Sequence, residues 1–533
     1  APLTPIQYSS FNPYGVNAFL QLEAGSAKRE EQVRMIAAAG FTWLRQQFTW
    51  EDIEVDGRGQ FTDSRNDHDG DGQPDTIDAW AKYDEIVALA EEYGLTIQVR
   101  LDTPPAWSHA DPDMGSFAPP DDIQDYVNFA VAVATRYQGR LRFYQIWNEP
   151  NIYPEWGEQA VNPEAYTELL CRTYDALKAV DPSIVVISAA MAPTISLTGR
   201  DLNDFIFLQR MYDAGAARCF DVMSVNGYGL NSGPTDRRMR PTTITFARNL
   251  YIRDIMVANG DANKPIWISE AAWNPVPDDP EIVNPLNFGQ VTPEQAARYM
   301  PLGYERAQQE WNWVGVIFYW FFTRPDDSWR TMPQYYFRMV EPDYSPEHPT
   351  FTPLPIYYSM QEYIQNQQPV LYPGVYQAED WRVTLLGDAQ VVEVEDAQFG
   401  QAVETTSVEF TARGTGVIIR WFGEAAEGAL IRLGVNTDGL PWFSLPGTKQ
   451  AYSANEWHEI EIPLDETQVI SIGASALTFS AEGQSIESPL NFIVDAIVVL
   501  NYNCYFPLIF SILAVVAWFL IFVVQLQWER RRR

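Results

Sequence analysis

The chain has 533 residues, a formal net charge of −34 and 46% apolar side chains. That length exceeds one ordinary domain and suits a barrel of roughly 250 to 400 residues with a second module of about 100. The apolar content excludes a disordered chain. The negative charge, with no basic stripe in the first 500 residues, excludes nucleic acid as a partner, because a polyphosphate backbone needs clustered cations.

In chain order, residues 14 to 367 alternate short apolar runs with amphipathic stretches, the pattern of repeated βα units around a parallel sheet. The predicted strands are YGVNAF (14 to 19), FTWLR (41 to 45), LTIQVRL (95 to 101), LRFYQIW (141 to 147), IVVIS (184 to 188), FDVMSV (220 to 225), PIWIS (265 to 269) and VGVIFYW (314 to 320). Helix-like segments follow them. Between 79 and 93, for example, Trp80, Tyr83, Ile86, Val87, Leu89 and Ala90 recur at helical spacing before Gly94. Eight such units predict an α/β fold, a (β/α)8 TIM barrel over residues 1–370 whose site lies at the C-terminal strand ends.

After the proline-bearing segment 368 to 373 the helical period disappears. Residues 374–500 read as short alternating strands such as GVIIRWF, ALIRLGV, HEIEIPL and NFIVDAIVVL, which predicts a small β-sandwich. Its Trp381, Trp421, Trp442 and Trp457 suit either a carbohydrate-binding platform or the buried core of a spacer.

Residues 507 to 524 carry one hydroxyl and no charge, so 505–526 predicts a single transmembrane helix. The basic tail 527–533, with Trp528 as an interfacial anchor and Arg530 to Arg533 behind it, predicts a cytoplasmic C-terminus. The preceding domains are then extracytoplasmic on a cell membrane. A start at Ala1 without Met fits a removed signal peptide. The three cysteines, Cys171, Cys219 and Cys504, are too few for a disulfide framework and lack metal-ligand spacing. They predict buried free thiols at Cys171 and Cys219, with a bond between those two as the alternative.

Cleavage of a glycosidic bond needs two carboxyl groups about the anomeric carbon, one to donate a proton and one to attack or to direct water. The fourth predicted strand runs into Asn148, Glu149, Pro150 and Asn151, and the seventh into Glu270. Proline after Glu149 ends the strand there and turns the chain outward.

YQIWNEPN (144 to 151) and PIWISEAAW (265 to 273) resemble the two signature strands of clan A glycoside hydrolases, and residues 8 to 367 resemble the group containing β-xylosidases and α-iduronidases. The resemblance implies a retaining, double-displacement glycosidase with Glu149 as acid/base and Glu270 as nucleophile. It further implies that Asn148 bonds the sugar hydroxyl beside the anomeric carbon, that Arg45, ending strand two, pairs with the nucleophile, and that Tyr228 hydrogen-bonds it. Trp320 would form an aromatic floor under the sugar, and Trp107 a further substrate contact. Asn226 is a departure, since many relatives have His there. No organic cofactor is implied.

A second constellation, DHDGDGQPDTID (67 to 78), places acidic residues at positions 1, 3, 5, 9 and 12 of a twelve-residue loop with Gly at position 6. Carboxylate oxygens so spaced suit Ca2+. The ligands would be Asp67, Asp69, Asp71, the carbonyl of Gln73, Asp75 and Asp78. The loop resembles those of dockerins and related extracellular calcium repeats, and a structural role is expected. The expected partners are therefore a glycan substrate, the lipid bilayer and other membrane proteins. The alternative function is a catalytically silent barrel serving as an accessory subunit of a membrane complex.

Overall fold

The computed structural model describes residues 5–23, 25–65, 73–344, 349–394, 396–398, 400–426, 429–437, 451–464, 467–479 and 485–501. The chain divides into two compact units, one spanning 6–367 and the other formed mainly by 368 onward, close to the expected boundary at 370. The segment expected to cross a membrane, 505–526, and the tail behind it lie outside the described residues. Among the described residues no helix is long and apolar enough to span a bilayer.

In the first unit eight parallel strands form one sheet: β1 (Tyr14–Ala18), β2 (Trp43–Thr49), β3 (Thr96–Asp102), β4 (Phe143–Ile146), β5 (Val185–Ile187), β6 (Met223–Asn226), β7 (Ile266–Ala271) and β8 (Val314–Tyr319). Their order is β5-β4-β3-β2-β1-β8-β7-β6. Parallel bridges Ile187–Val222 and Met191–Val225 join the two ends, so the sheet closes into a barrel. All eight predicted strands are present. The largest difference is β2, which continues to Thr49 because Gln46 to Thr49 pair in register with β3. Arg45 therefore sits low in the strand rather than at its end.

Among the described residues eight helices of ten residues or more follow in alternation, besides the single turn Trp50–Ile53: α1 (Ser26–Ala38), α2 (Ala81–Glu92), α3 (Ile123–Arg136), α4 (Pro163–Val180), α5 (Asp204–Asp213), α6 (Asn249–Ala258), α7 (Pro293–Glu310) and α8 (Pro355–Asn366). Their starts carry recognisable chemistry. Asp122 accepts from the Gln124 amide ahead of α3, and Thr292 with Gln295 forms a reciprocal capping box on α7. In α2, Tyr83, Ile86, Val87, Leu89 and Ala90 are the buried face, as the helical spacing predicts.

The barrel interior is layered, because alternate residues on a strand face the same way. At the N-terminal end Trp43, Phe143, Trp267 and Phe318 cluster with Val185, Ile187, Val222 and Val316, and Phe11 packs against them. Each such side chain stabilises the fold by about 1.5 to 3 kcal/mol on burial. One step higher the lining turns polar: Gln98, Gln145, Ser224 and Ser269 are fully buried and hydrogen-bonded to one another. Above that layer the site opens.

The cysteine expectation needs correction. Cys171, on α4, is disulfide-bonded to Cys219, in the turn before β6, with Cα atoms 4.7 Å apart. Their separation of 48 residues hid the pairing, which arises because α4 packs against the short helical turn Ala216–Arg218.

The second unit contains two antiparallel sheets of six strands each. The predicted strands appear as Gly416–Phe422, Leu430–Thr437, Trp457–Pro463 and Phe492–Leu500. Trp421 is fully buried among Val417, Ile419, Ile460 and Val494, which removes it from any surface platform. Trp457 packs at a tilt against Phe422, with ring centroids 5.5 Å apart, and lies under the Arg420 guanidinium at 4.6 Å. Trp442 lies outside the described residues.

Candidate active site

Two backbone irregularities bring the carboxyl groups to the barrel mouth. On β7 the pairing with β6 jumps from Val225–Ile268 to Asn226–Glu270, so one extra residue, Ser269, is accommodated. Strict alternation would send Ser269 and Glu270 to opposite faces; the bulge turns both inward. At the end of β4, Trp147 has φ of +76°, a left-handed conformation that costs a bulky residue of order 1 to 2 kcal/mol. It is held there by hydrogen bonds from its amide to the Leu101 carbonyl (3.0 Å) and from its indole to the Glu155 carbonyl (2.7 Å). The following Asn148 and Glu149 are thereby aimed over the barrel.

Arg45 is the centre of the arrangement, with its side chain only 1% exposed. Its Nη1 donates to Glu270 Oε1 and to Asn17 Oδ1, both at 2.8 Å, its Nη2 to Asn148 Oδ1 at 2.8 Å and its Nε to Gln145 Oε1 at 2.7 Å. Tyr228 donates its hydroxyl to Glu270 Oε2 at 2.7 Å. Burial first, and the Glu270 charge second, push the Tyr228 phenol well above its usual range, so it stays a donor. Gly229 beside it is required by packing, since a Cβ there would meet the Trp273 indole nitrogen at 2.1 Å.

Asn226 ties the pair together. Its Nδ2 donates to Glu149 Oε1 at 2.6 Å and approaches Glu270 Oε2 at 3.3 Å. Those two oxygens therefore lie at most about 5.9 Å apart, the sum of the two contacts, close enough for both carboxyl groups to reach one anomeric carbon. Burial, then the negative charges of Glu270 and Glu155, hold the Glu149 carboxyl well above the ordinary range. One carboxyl thus keeps its proton while the other is ion-paired and hydrogen-bonded, the division that acid and nucleophile require.

The cavity above these groups has a volume of about 820 Å³ and is lined by Asn148, Glu149, Tyr228, Glu270 and Trp320 together with residues the sequence reading did not name. The latter include Arg100, Asp102, Glu155 and Arg324. Arg100 and Asp102 follow Gln98 at period two on β3 and are ion-paired at 2.8 Å, so the alternation already pointed them inward. Arg324 lies over the Phe19 and Trp329 rings at 4.1 Å each, and burial lowers it to about 10.

Trp107 is not among the residues lining the cavity: its indole donates to the Glu54 carbonyl at 2.7 Å and packs edge-on against Trp50. Of the expected calcium ligands, Asp67, Asp69 and Asp71 lie outside the described residues. Asp78 ends a short ladder between Thr62–Asp63 and Ile77–Asp78, and its Oδ1 accepts the Trp80 amide. Gln73 is exposed and Asp75 half-buried.

No protein-family model matches the sequence, and no curated protein is similar to it. Among solved structures the chain is similar to a family 39 glycoside hydrolase from the gut symbiont Bacteroides cellulosilyticus WH2, at 17% identity and a TM-score of 0.49, over 94% of this chain and 83% of that one. It is also similar to a GH39 enzyme from Xanthomonas axonopodis pv. citri, at 14% and 0.46 over 88% and 96%. A monomeric β-xylosidase from Caulobacter crescentus CB15 follows at 14% and 0.47, over 89% and 97%. At such identities and scores these likenesses decide nothing about chemistry, which the side chains of the cavity must carry.

Proposed function

We propose that the chain is a retaining glycoside hydrolase. The observation that supports this reading is the single amide of Asn226 between two carboxyls, one of them ion-paired to a buried Arg45 and the other held protonated. In the first step Glu149 gives its proton to the glycosidic oxygen while Glu270 attacks the anomeric carbon, breaking the bond to the aglycone and forming a glycosyl ester. In the second, Glu149 takes a proton from water, the oxygen attacks the same carbon, and Glu270 leaves as carboxylate. Tyr228 and Arg45 hold the attacking oxygens, Asn148 faces the substrate from the Glu149 side, and Trp320 offers a ring face to the sugar.

The substrate is a glycan, met on the outer face of a cell membrane to which 505–526 anchors the chain once, with the C-terminus in the cytoplasm. Ca2+ belongs to the loop 67 to 78, where all the donors are hard oxygens; Gln73 and Asp75 do not fill the barrel core, and Asp78 keeps its second carboxylate oxygen beyond the Trp80 contact. Its role there is structural. Hydrolysis of a panel of aryl α- and β-glycosides by the protein in calcium, beside Glu149→Gln and Glu270→Gln, tests the reading. Turnover of at least one substrate, lost in both variants, supports it; turnover that survives Glu270→Gln rules it out.

A further inference from the structure

The loop after β4 does more than end the strand. From Ile152 the chain folds back over Asn148 and Glu149, with the Glu155 amide donating to the Ile152 carbonyl at 3.0 Å and the Glu155 carbonyl accepting the Trp147 indole. Glu155 thus returns to the cavity beside the two reacting carboxyls, and its Oε2 accepts from Asn148 Nδ2 at 3.1 Å. Asn148 is now fixed at both ends: its Oδ1 takes Arg45 Nη2 at 2.8 Å and Arg100 Nη1 at 3.4 Å, while one of its two amide hydrogens goes to Glu155. The other hydrogen remains for a ligand.

We propose that Glu155 is a third functional carboxyl of this cavity, a positioning residue that orients the Asn148 amide toward the sugar. The inference rests on the hydrolase reading. Arg45 and Arg100 can only donate and so meet the oxygen end of Asn148, while the Glu155 oxygen accepts from its nitrogen end, so the amide cannot flip without losing contacts on both sides.

Charge gives Glu155 a second effect. The groups that face it are Arg100 and Asp102 from β3, Glu270 from β7, and Glu149 on its own loop. Burial, opposed by Arg100 and the Asn148 hydrogen bond, raises Glu155 to about 7, so it becomes an anion across neutral pH. That anion favours the proton on Glu149. Above neutrality Glu155 therefore keeps the acid armed.

Glu155→Gln and Glu155→Ala separate the two effects. Gln still offers an oxygen to Asn148 but never carries charge, so the basic limb of the kcat/KM profile moves about one pH unit toward acid. Ala removes the acceptor as well and lowers kcat/KM about tenfold at every pH. An unmoved basic limb in Glu155→Gln, or an Ala variant no worse than Gln, overturns the proposal. A parent that hydrolyses no glycoside of the panel is a different failure: it removes the hydrolase reading and this inference with it.

Discussion

Replacing Arg45 by Met tests whether the site's electrostatics hold the barrel together as well as the reaction. The guanidinium is buried with Glu270 at 2.8 Å, the two side chains being 1% and 4% exposed, and it also serves Asn17, Gln145 and Asn148. Removing it takes the ion-pair partner from a buried carboxylate, which keeps the Tyr228 and Asn226 hydrogen bonds and the more distant Arg324 charge. Breaking a buried pair in this way costs about 3 to 5 kcal/mol, while each neutral acceptor left without a donor adds about 1 kcal/mol or is satisfied by water. We expect Arg45→Met to lose about 4 kcal/mol. In a barrel of this size that is a fall of roughly 4 to 8 °C in the midpoint of its thermal transition. Adding Glu270→Gln removes the stranded charge, so the double variant should recover about half of the loss. Urea unfolding followed by tryptophan fluorescence measures both. A loss below about 1 kcal/mol, or a double variant no more stable than the single, would refute the argument that Arg45 neutralises a buried Glu270.

Three further outcomes follow from the same geometry. Asn226→Ala removes the amide shared by Glu149 and Glu270, and kcat/KM on the best glycoside should fall by about a hundredfold with the fold intact by circular dichroism. Replacing Cys171 and Cys219 together by Ser opens a loop of 48 residues, which should cost roughly 4 kcal/mol in chemical unfolding; an unchanged midpoint would show that the bond constrains little. Glu155 is raised to about 7 in the fold, so the folded state holds its proton where the unfolded chain has lost it, and stability falls as pH rises between about 4.5 and 7. Glu155→Gln escapes that loss: relative to the parent it should gain about 2 kcal/mol at pH 8 over its value at pH 5. A difference that does not grow with pH would count against the raised Glu155.

The sequence was most legible where period and chemistry coincide. Apolar runs alternating with amphipathic stretches placed all eight strands, and the carboxyls Glu149 and Glu270 fall at strand ends because the βα repeat puts them there. Arg45 and Tyr228, with the contacts to Glu270 expected of them, were recognisable through their flanking motifs, whereas the place of Asn226 between the two carboxyls came only with the fold. A strand-end position for Arg45 proved wrong, since β2 continues four residues beyond it in register with β3. What was not legible depends on backbone departures from period: the bulge that turns both Ser269 and Glu270 inward, and the left-handed Trp147 that aims Glu149. Glu155 was hidden for the same reason, because nothing in YPEW signals a loop folding back onto its own strand end. Arg100 and Asp102, by contrast, could have been found from their alternation with Gln98. The Cys171–Cys219 bond joins segments distant in sequence, and only the packing of α4 on the turn before β6 brings them together.

The assignment of Glu149 and Glu270 to opposite roles is tested most directly by azide rescue, with the product's configuration read by NMR. Glu149→Ala should regain turnover of an activated aryl glycoside in azide and give a glycosyl azide of the same anomeric configuration as the substrate, because azide then intercepts the ester on Glu270. Glu270→Ala should give the opposite configuration, with azide attacking directly. The same configuration from both variants, or rescue of neither by azide with a parent that is active, would contradict the account.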